Sequence, residues 1–298
     1  MNPDPPDDYC HGIVVGIEAR SEREPVLDFA LEEARRRELP LLVVHSYETS
    51  VAAYRDDHSH QQRLAEGAVA RSRARVNCSE PVRCRVTVLE SDPTSALLRF
   101  AQKASLLVVG SRGHGVIERA ALGSVSSACV RRSVAPVTLV PNQTWIRHDR
   151  WLTSRVLVAL DGSPCSLSAL VWAVGQAREW ECSLSPVIVS SDAGELPASL
   201  DWHGRADDAV HRLIAAAGGD DLEVRPHFLS GHVSDAVLSL LDPADLLVMG
   251  SRGRPTLQSL LLGSASVSVS ERAPCPVTIV RAAEVKRTAV AGQLALLH

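Results

Sequence analysis

Short apolar runs recur along the chain, near residues 12–17, 41–46, 83–89, 105–110 and 136–140. They return near 155–160, 182–189, 223–229, 245–250 and 276–280. Runs this short and this rich in Val, Ile and Leu suit strands buried on both faces. Between them lie longer amphipathic stretches. Leu27, Ala30, Leu31 and Ala34 follow helical spacing, as do Leu167, Leu170, Val171 and Val174. Strand–helix–strand alternation predicts a parallel sheet with right-handed crossovers. Each half of the chain therefore predicts an open, doubly wound α/β domain of five strands and four helices, with helices on both faces of the sheet.

The two halves are copies. Residues 105–140 and 245–280 align without a gap at an offset of 140, with Gly-Ser-Arg-Gly, Leu-Gly-Ser and Pro-Val-Thr in register. Residues 12–18 pair with 155–161. The segment around Thr144 and Thr153, with Trp145 and Trp151, reads as a linker, which gives domains at 1–146 and 147–298. A length of 298 residues fits two domains of roughly 150.

Composition narrows the setting. Apolar residues make up 45% and charged residues 22%, enough for a core in each half. The net charge of -4 supplies no strong field for nucleic acid or an anionic membrane, so neither is expected as a partner. No apolar run approaches the roughly 20 residues that span a bilayer. The acidic, proline-rich residues 1–8 lack the basic and apolar regions of a secretory signal. Seven cysteines, an odd number without metal or redox spacing, read as reduced thiols, some of them core hydrophobes. Together these point to the cytoplasm.

The candidate chemistry sits after the fourth strand of each copy. Gly110 or Gly250 begins a loop, Gly113 or Gly253 follows three residues on, and Gly123-Ser124 or Gly263-Ser264 opens a helical stretch. Glycine lets backbone approach a ligand closely. Free N–H groups at a helix start favour an anion. Ser124 and Ser264 are also suited to cap that helix. A glycine after a strand is often only a turn, and a serine before a helix only a cap. The same spacing twice, after equivalent strands, weighs against that plain reading. Asp161-Gly162-Ser163 follows the first strand of the second copy, where Asp161 could accept hydrogen bonds from a ribose or base, cap the helix near Pro164, or both. Arg112 and Arg252 are equally readable as phosphate partners and as solvated loop residues.

With an acidic residue after strand one and Gly-x2-Gly-x9-Gly-Ser after strand four, the chain resembles the universal stress protein family over nearly its whole length. Its tandem form is similar to the two-domain members found in actinobacteria. The resemblance implies a 3-2-1-4-5 strand order, ATP binding with or without Mg2+, and dimerisation through the fifth strands, within one chain or across a homodimer. It also implies a regulatory role in the cytoplasm under hypoxia, starvation or dormancy, with an unidentified protein partner. Carried over by position, Asp161 and Gly162 would meet the adenosine and Gly250 the ribose. Gly253, Gly263 and Ser264 would hold phosphates, with Ser266 assisting and Arg252 beside them. Gly110, Arg112, Gly113, Gly123, Ser124 and Ser126 correspond in the first copy. There Glu18-Ala19-Arg20 departs from Asp-Gly-Ser, so the second site is expected to grip better.

Catalysis is not expected. Neither loop contains a P-loop Gly-Lys-Ser/Thr, and residues 110–124 and 250–264 contain no lysine. No Ser-Gly-Gly-x-Asp-Ser motif occurs, and His45, His114 and His232 form no metal spacing. His58 and His60 lie in a polar stretch and read as surface residues. A nucleotide-dependent regulator is the leading expectation. The alternatives are an interaction protein with vestigial sites and a weak ATPase or autokinase. Residues 282–298 could be a helix on the domain or a loose tail.

Overall fold

The computed structural model describes residues 9–19, 24–47, 58–76, 82–111, 122–142, 155–190, 200–243, 245–252 and 263–282. The chain folds as two compact units, Met1–Trp151 and Leu152–His298. The proposed linker and the tail beyond residue 282 lie outside the described residues.

The first unit runs β1 (Ile13–Ile17), α1 (Pro25–Arg36), β2 (Leu41–Tyr47), α2 (His58–Val76), β3 (Cys84–Glu90), α3 (Pro93–Ala101), β4 (Leu106–Gly110), α4 (Ser124–Arg132) and β5 (Val137–Val140). Its strand order is β3-β2-β1-β4-β5, all parallel. Ile13 faces Leu41 on one side and Leu106 on the other. Ile13, Val15, Leu41, Val43, Leu106 and Val108 are all buried, as strands covered on both faces require.

The second unit repeats the plan with β6 (Arg155–Leu160), α5 (Pro164–Glu179), β7 (Ser183–Ser190), α6 (Leu200–Ala216), β8 (His227–Ser230), α7 (Val233–Leu240), β9 (Leu246–Gly250), α8 (Ser264–Arg272) and β10 (Val277–Val280). Its order is β8-β7-β6-β9-β10, again parallel. In each unit the chain winds outward from the first strand, then returns to wind the other way from the fourth. The order reverses between β1 and β4, and between β6 and β9, so the carboxyl ends of these pairs form the crevice where such sheets bind ligands.

Two expectations from the apolar pattern change. On α5 the buried face is Ser166, Ala169, Leu170, Ala173, Val174 and Ala177, while Val171 is 41% exposed and Leu167 half-buried. Small residues at 166, 169, 173 and 177 let the helix lie close on the sheet, and large apolar residues alone do not reveal that face. The expected strand at 223–229 is shorter. Pro226 offers no N–H to the ladder, so only a bridge from Val224 to Leu184 precedes β8.

The copies also solve one packing problem in two ways. Below β1, Ser105 donates through both N–H and Oγ to the carbonyl of Gly12, at 2.9 and 3.1 Å. At the matching place Arg155 grips the buried Asp245 with Nε and Nη2, at 3.0 and 3.1 Å. A Cβ on Gly12 would stand 2.5 Å from the carbonyl oxygen of Pro40, so the first copy leaves no room for arginine there.

Candidate functional site

Both units leave their first strand by the same backbone path. Gly162 has φ +78° and Ala19 has φ +56°. The left-handed region suits glycine and strains alanine. The Glu18-Ala19 departure therefore keeps the turn, and does so with a strained, buried alanine. Glu18 and Asp161 are both exposed at the carboxyl edge of their sheets.

Asp161 does not cap α5. Its Oδ1 accepts the N–H of Ser163 at 2.9 Å, folding the chain one step before the helix. Ser163 is the cap, accepting the N–H of Ser166 through Oγ at 3.2 Å. The same hydroxyl donates to the carbonyl of Arg252 at 3.2 Å. That bond ties the turn after β6 to the loop after β9.

The glycine loops close on identical stems. Ser111 N–H donates to Val140 O at 2.9 Å and Ser251 N–H to Val280 O at 2.8 Å. Gly123 N–H then donates to Ser111 O, and Gly263 N–H to Ser251 O, both at 3.0 Å. Each loop thus begins and ends at one point above the crevice. Gly123 and Gly263, rather than the following serines, are the N-caps of α4 and α8, and neither has a side-chain cap. Ser124 and Ser264 are the first helical residues and are exposed. A glycine cap leaves the helix-start N–H groups open to an outside acceptor. Arg112, Gly113 and Gly253 lie outside the described residues.

Two carried-over roles acquire internal explanations. The Ser126 hydroxyl donates to Gly110 O at 2.6 Å and that of Ser266 to Gly250 O at 2.9 Å, both buried. Their protons are spent on the strand ends, not turned toward a phosphate. A Cβ on Gly250 would come within 2.8–2.9 Å of Cys165 C, Cys165 Cβ and Ser166 N. The first turn of α5 demands that glycine whether or not a ribose lies nearby.

Three neighbours escaped the sequence reading. Cys165, on the first turn of α5, accepts a weak hydrogen bond from Ser251 Oγ at 3.7 Å. Arg281 follows β10, and burial together with the charge of Arg252 holds its guanidinium below the usual range. The break in the repeat at Pro141 and Arg281 was the available signal for it. In the first unit His45 is buried, with Nδ1 3.1 Å from Ile17 O and Nε2 2.9 Å from Gln61 Oε1. It braces the residue just before Glu18. The described cysteines are free thiols, and burial pushes Cys129 up to about 12 and raises Cys275 as well, which keeps them as inert core groups. Among the described residues no cluster of three or more His, Cys, Asp or Glu could hold a metal, and no helix is long and apolar enough to cross a membrane.

Known proteins share the sequence family and the fold. A profile of the universal stress protein family matches residues 11–141 and again 153–281. Universal stress protein Rv2005c of Mycobacterium tuberculosis is 29% identical over 290 residues, covering 91% of this chain and 97% of its own. A universal stress protein of Mycolicibacterium smegmatis is 26% identical over 293 residues, with the same coverage. Among solved structures, a universal stress protein from Archaeoglobus fulgidus superposes with a TM-score of 0.65 over 92% of this chain and 99% of its own, at 22% identity, a likeness of fold. The repeated sheet, the two glycine loops and these matches agree, and the chain belongs to the universal stress protein family as a tandem of two such domains.

Proposed function

We propose that this chain is an adenine-nucleotide-binding regulator of a cytoplasmic stress response, taking ATP at one or both glycine loops. The observation that carries this reading is the duplicated stem. In both units the loop is pinned at Ser111 or Ser251 and delivers a helix start without a side-chain cap onto the crevice. Such a start offers backbone N–H groups and the positive end of the helix dipole to phosphate. Ser124 and Ser264 add exposed hydroxyls there. Asp161, one strand away, keeps carboxylate lone pairs beyond the one that meets Ser163 N–H, which suits ribose hydroxyls. Mg2+ would accompany the phosphates and screen their charge. The loops lack the lysine of phosphoryl-transfer sites, so occupancy rather than turnover is the signal. A homodimer and a protein partner that senses occupancy belong to the same reading.

A second reading has its own support. The hydroxyls of Ser126 and Ser266, and the bare Cα of Gly250, are explained by packing alone. An interaction protein with vestigial loops would retain them. The test is to denature the purified chain and assay the released adenine nucleotide, then measure thermal unfolding with and without added MgATP. Released nucleotide, or a rise in unfolding temperature with ATP, supports the binding reading. Absence of both leaves the interaction reading.

A further inference from the structure

The copies differ at the mouth of the loop in one position of opposite character. Val140 is followed by Pro141, whereas Val280 is followed by Arg281. β10 lies parallel to β9 with Val280 opposite Gly250, and Ser251 N–H bonds Val280 O. Arg281 therefore leaves the sheet beside Ser251 and Arg252, on the carboxyl edge where α8 begins. It is half-buried, and Arg252 is exposed.

Other arginines of this unit meet carboxylates: Arg155 with Asp245, Arg178 with Asp221, Arg225 with Glu223 and Arg272 with Asp235. Among the described residues no carboxylate pairs with Arg281 or Arg252. Among the described residues, burial and then the guanidinium of Arg252 disfavour the charge of Arg281, with the Cys165 thiol also beside it. Two like charges, one partly desolvated, are unfavourable until an anion joins them. Guanidinium suits phosphate because its planar fork binds two oxygens at once.

Geometry says which phosphate. Asp161 ends β6, the glycine loop ends β9, and Arg281 ends β10, the next strand along. Strands are spaced by about 4.8 Å, so Arg281 stands about 10 Å from the Asp161 edge. On the nucleotide-binding reading, a nucleoside at Asp161 would bring its first phosphate to the end of β9, and further phosphates would reach the end of β10.

We infer that Arg281, with Arg252, forms a polyphosphate-reading subsite that makes the second domain, and not the first, favour a nucleoside triphosphate over a monophosphate. This rests on the nucleotide-binding reading above, and the experiment separates the two. The full chain, carrying Gly123→Asp to weaken the first loop, is titrated calorimetrically with ATP and with AMP, each with Mg2+, before and after Arg281→Gln. A lost charge-assisted contact predicts about a tenfold drop in ATP affinity with AMP changed less than about twofold. Arg281→Lys should recover part of the ATP preference. Unfolding of the ligand-free Arg281→Gln chain should occur at the same or a higher temperature, because a repulsion is removed. A ligand-free chain destabilised by Arg281→Gln, or ATP and AMP affinities that fall together or stay put, overturns the subsite while leaving the nucleotide reading intact. A parent chain that binds neither nucleotide removes the reading itself.

Discussion

Ala19 and Gly162 occupy one backbone conformation with different side chains. A left-handed non-glycine residue costs roughly 1–2 kcal/mol. Gly162→Ala should therefore lower the stability of the second unit by about 1 kcal/mol, read as an earlier second-unit transition in urea. The reverse change is not its mirror image. Ala19→Gly relieves strain but gives up a buried methyl, about 0.8 kcal/mol, and adds freedom to the unfolded chain, about 0.5–1 kcal/mol. These terms nearly cancel, so the first unit should shift little in the same melt. A large gain from Ala19→Gly would mean that the alanine methyl packs poorly. At this scale the sequence was only partly legible. The positions of Asp161, Gly250 and Gly263 were readable from spacing, but their hydrogen-bond roles were not. Whether a serine caps a helix or a glycine does depends on one residue of register, and Ser264 and Ser163 fall on opposite sides of that line.

Strands and helices were more legible, because burial on both faces writes long Val, Ile and Leu runs into the chain. β1, β4, β6 and β9 begin and end close to their apolar runs. Where the reading slipped, the cause was local. Pro226 shortened β8, and small side chains hid the buried face of α5. β8 carries a titratable consequence. The Nε2 of His227 is buried with no hydrogen-bond partner in the structure, and burial, followed by the charge of Arg155, lowers its pKa from the ordinary 6.5. The unfolded chain thus binds this proton more readily than the folded one. The contribution to stability is complete above pH 6.5 and is lost as the pH falls through 6.5 toward the lower folded value. Urea unfolding of the second unit at pH 7.5 and at pH 5.5 should show this loss, and His227→Leu should flatten it. An equally steep acid loss in His227→Leu would assign the effect to other groups.

As a whole molecule the chain is a duplication whose halves have diverged at the site more than in the fold. Both units keep the strand order, the loop stem and the glycine-capped helix. They differ where ligand would be gripped: Asp161 against Glu18, Gly162 against Ala19, and Arg281 against Pro141. On the proposed nucleotide reading, all three differences favour the second domain as the stronger site. Most of this asymmetry was visible in the sequence once the copies were aligned. Arg281 against Pro141 was also there to be aligned, but its place at the mouth of the loop rests on the register that sets Val280 opposite Gly250 and on the Ser251 N–H bond to Val280 O. The most direct test is calorimetric titration of the intact chain with MgATP, repeated with Asp161→Ala. The account predicts a tighter site at one nucleotide per chain that is weakened by Asp161→Ala, with any second equivalent binding more weakly and unaffected by that change. No heat of binding at millimolar ATP, or a tighter site indifferent to Asp161→Ala, would contradict it.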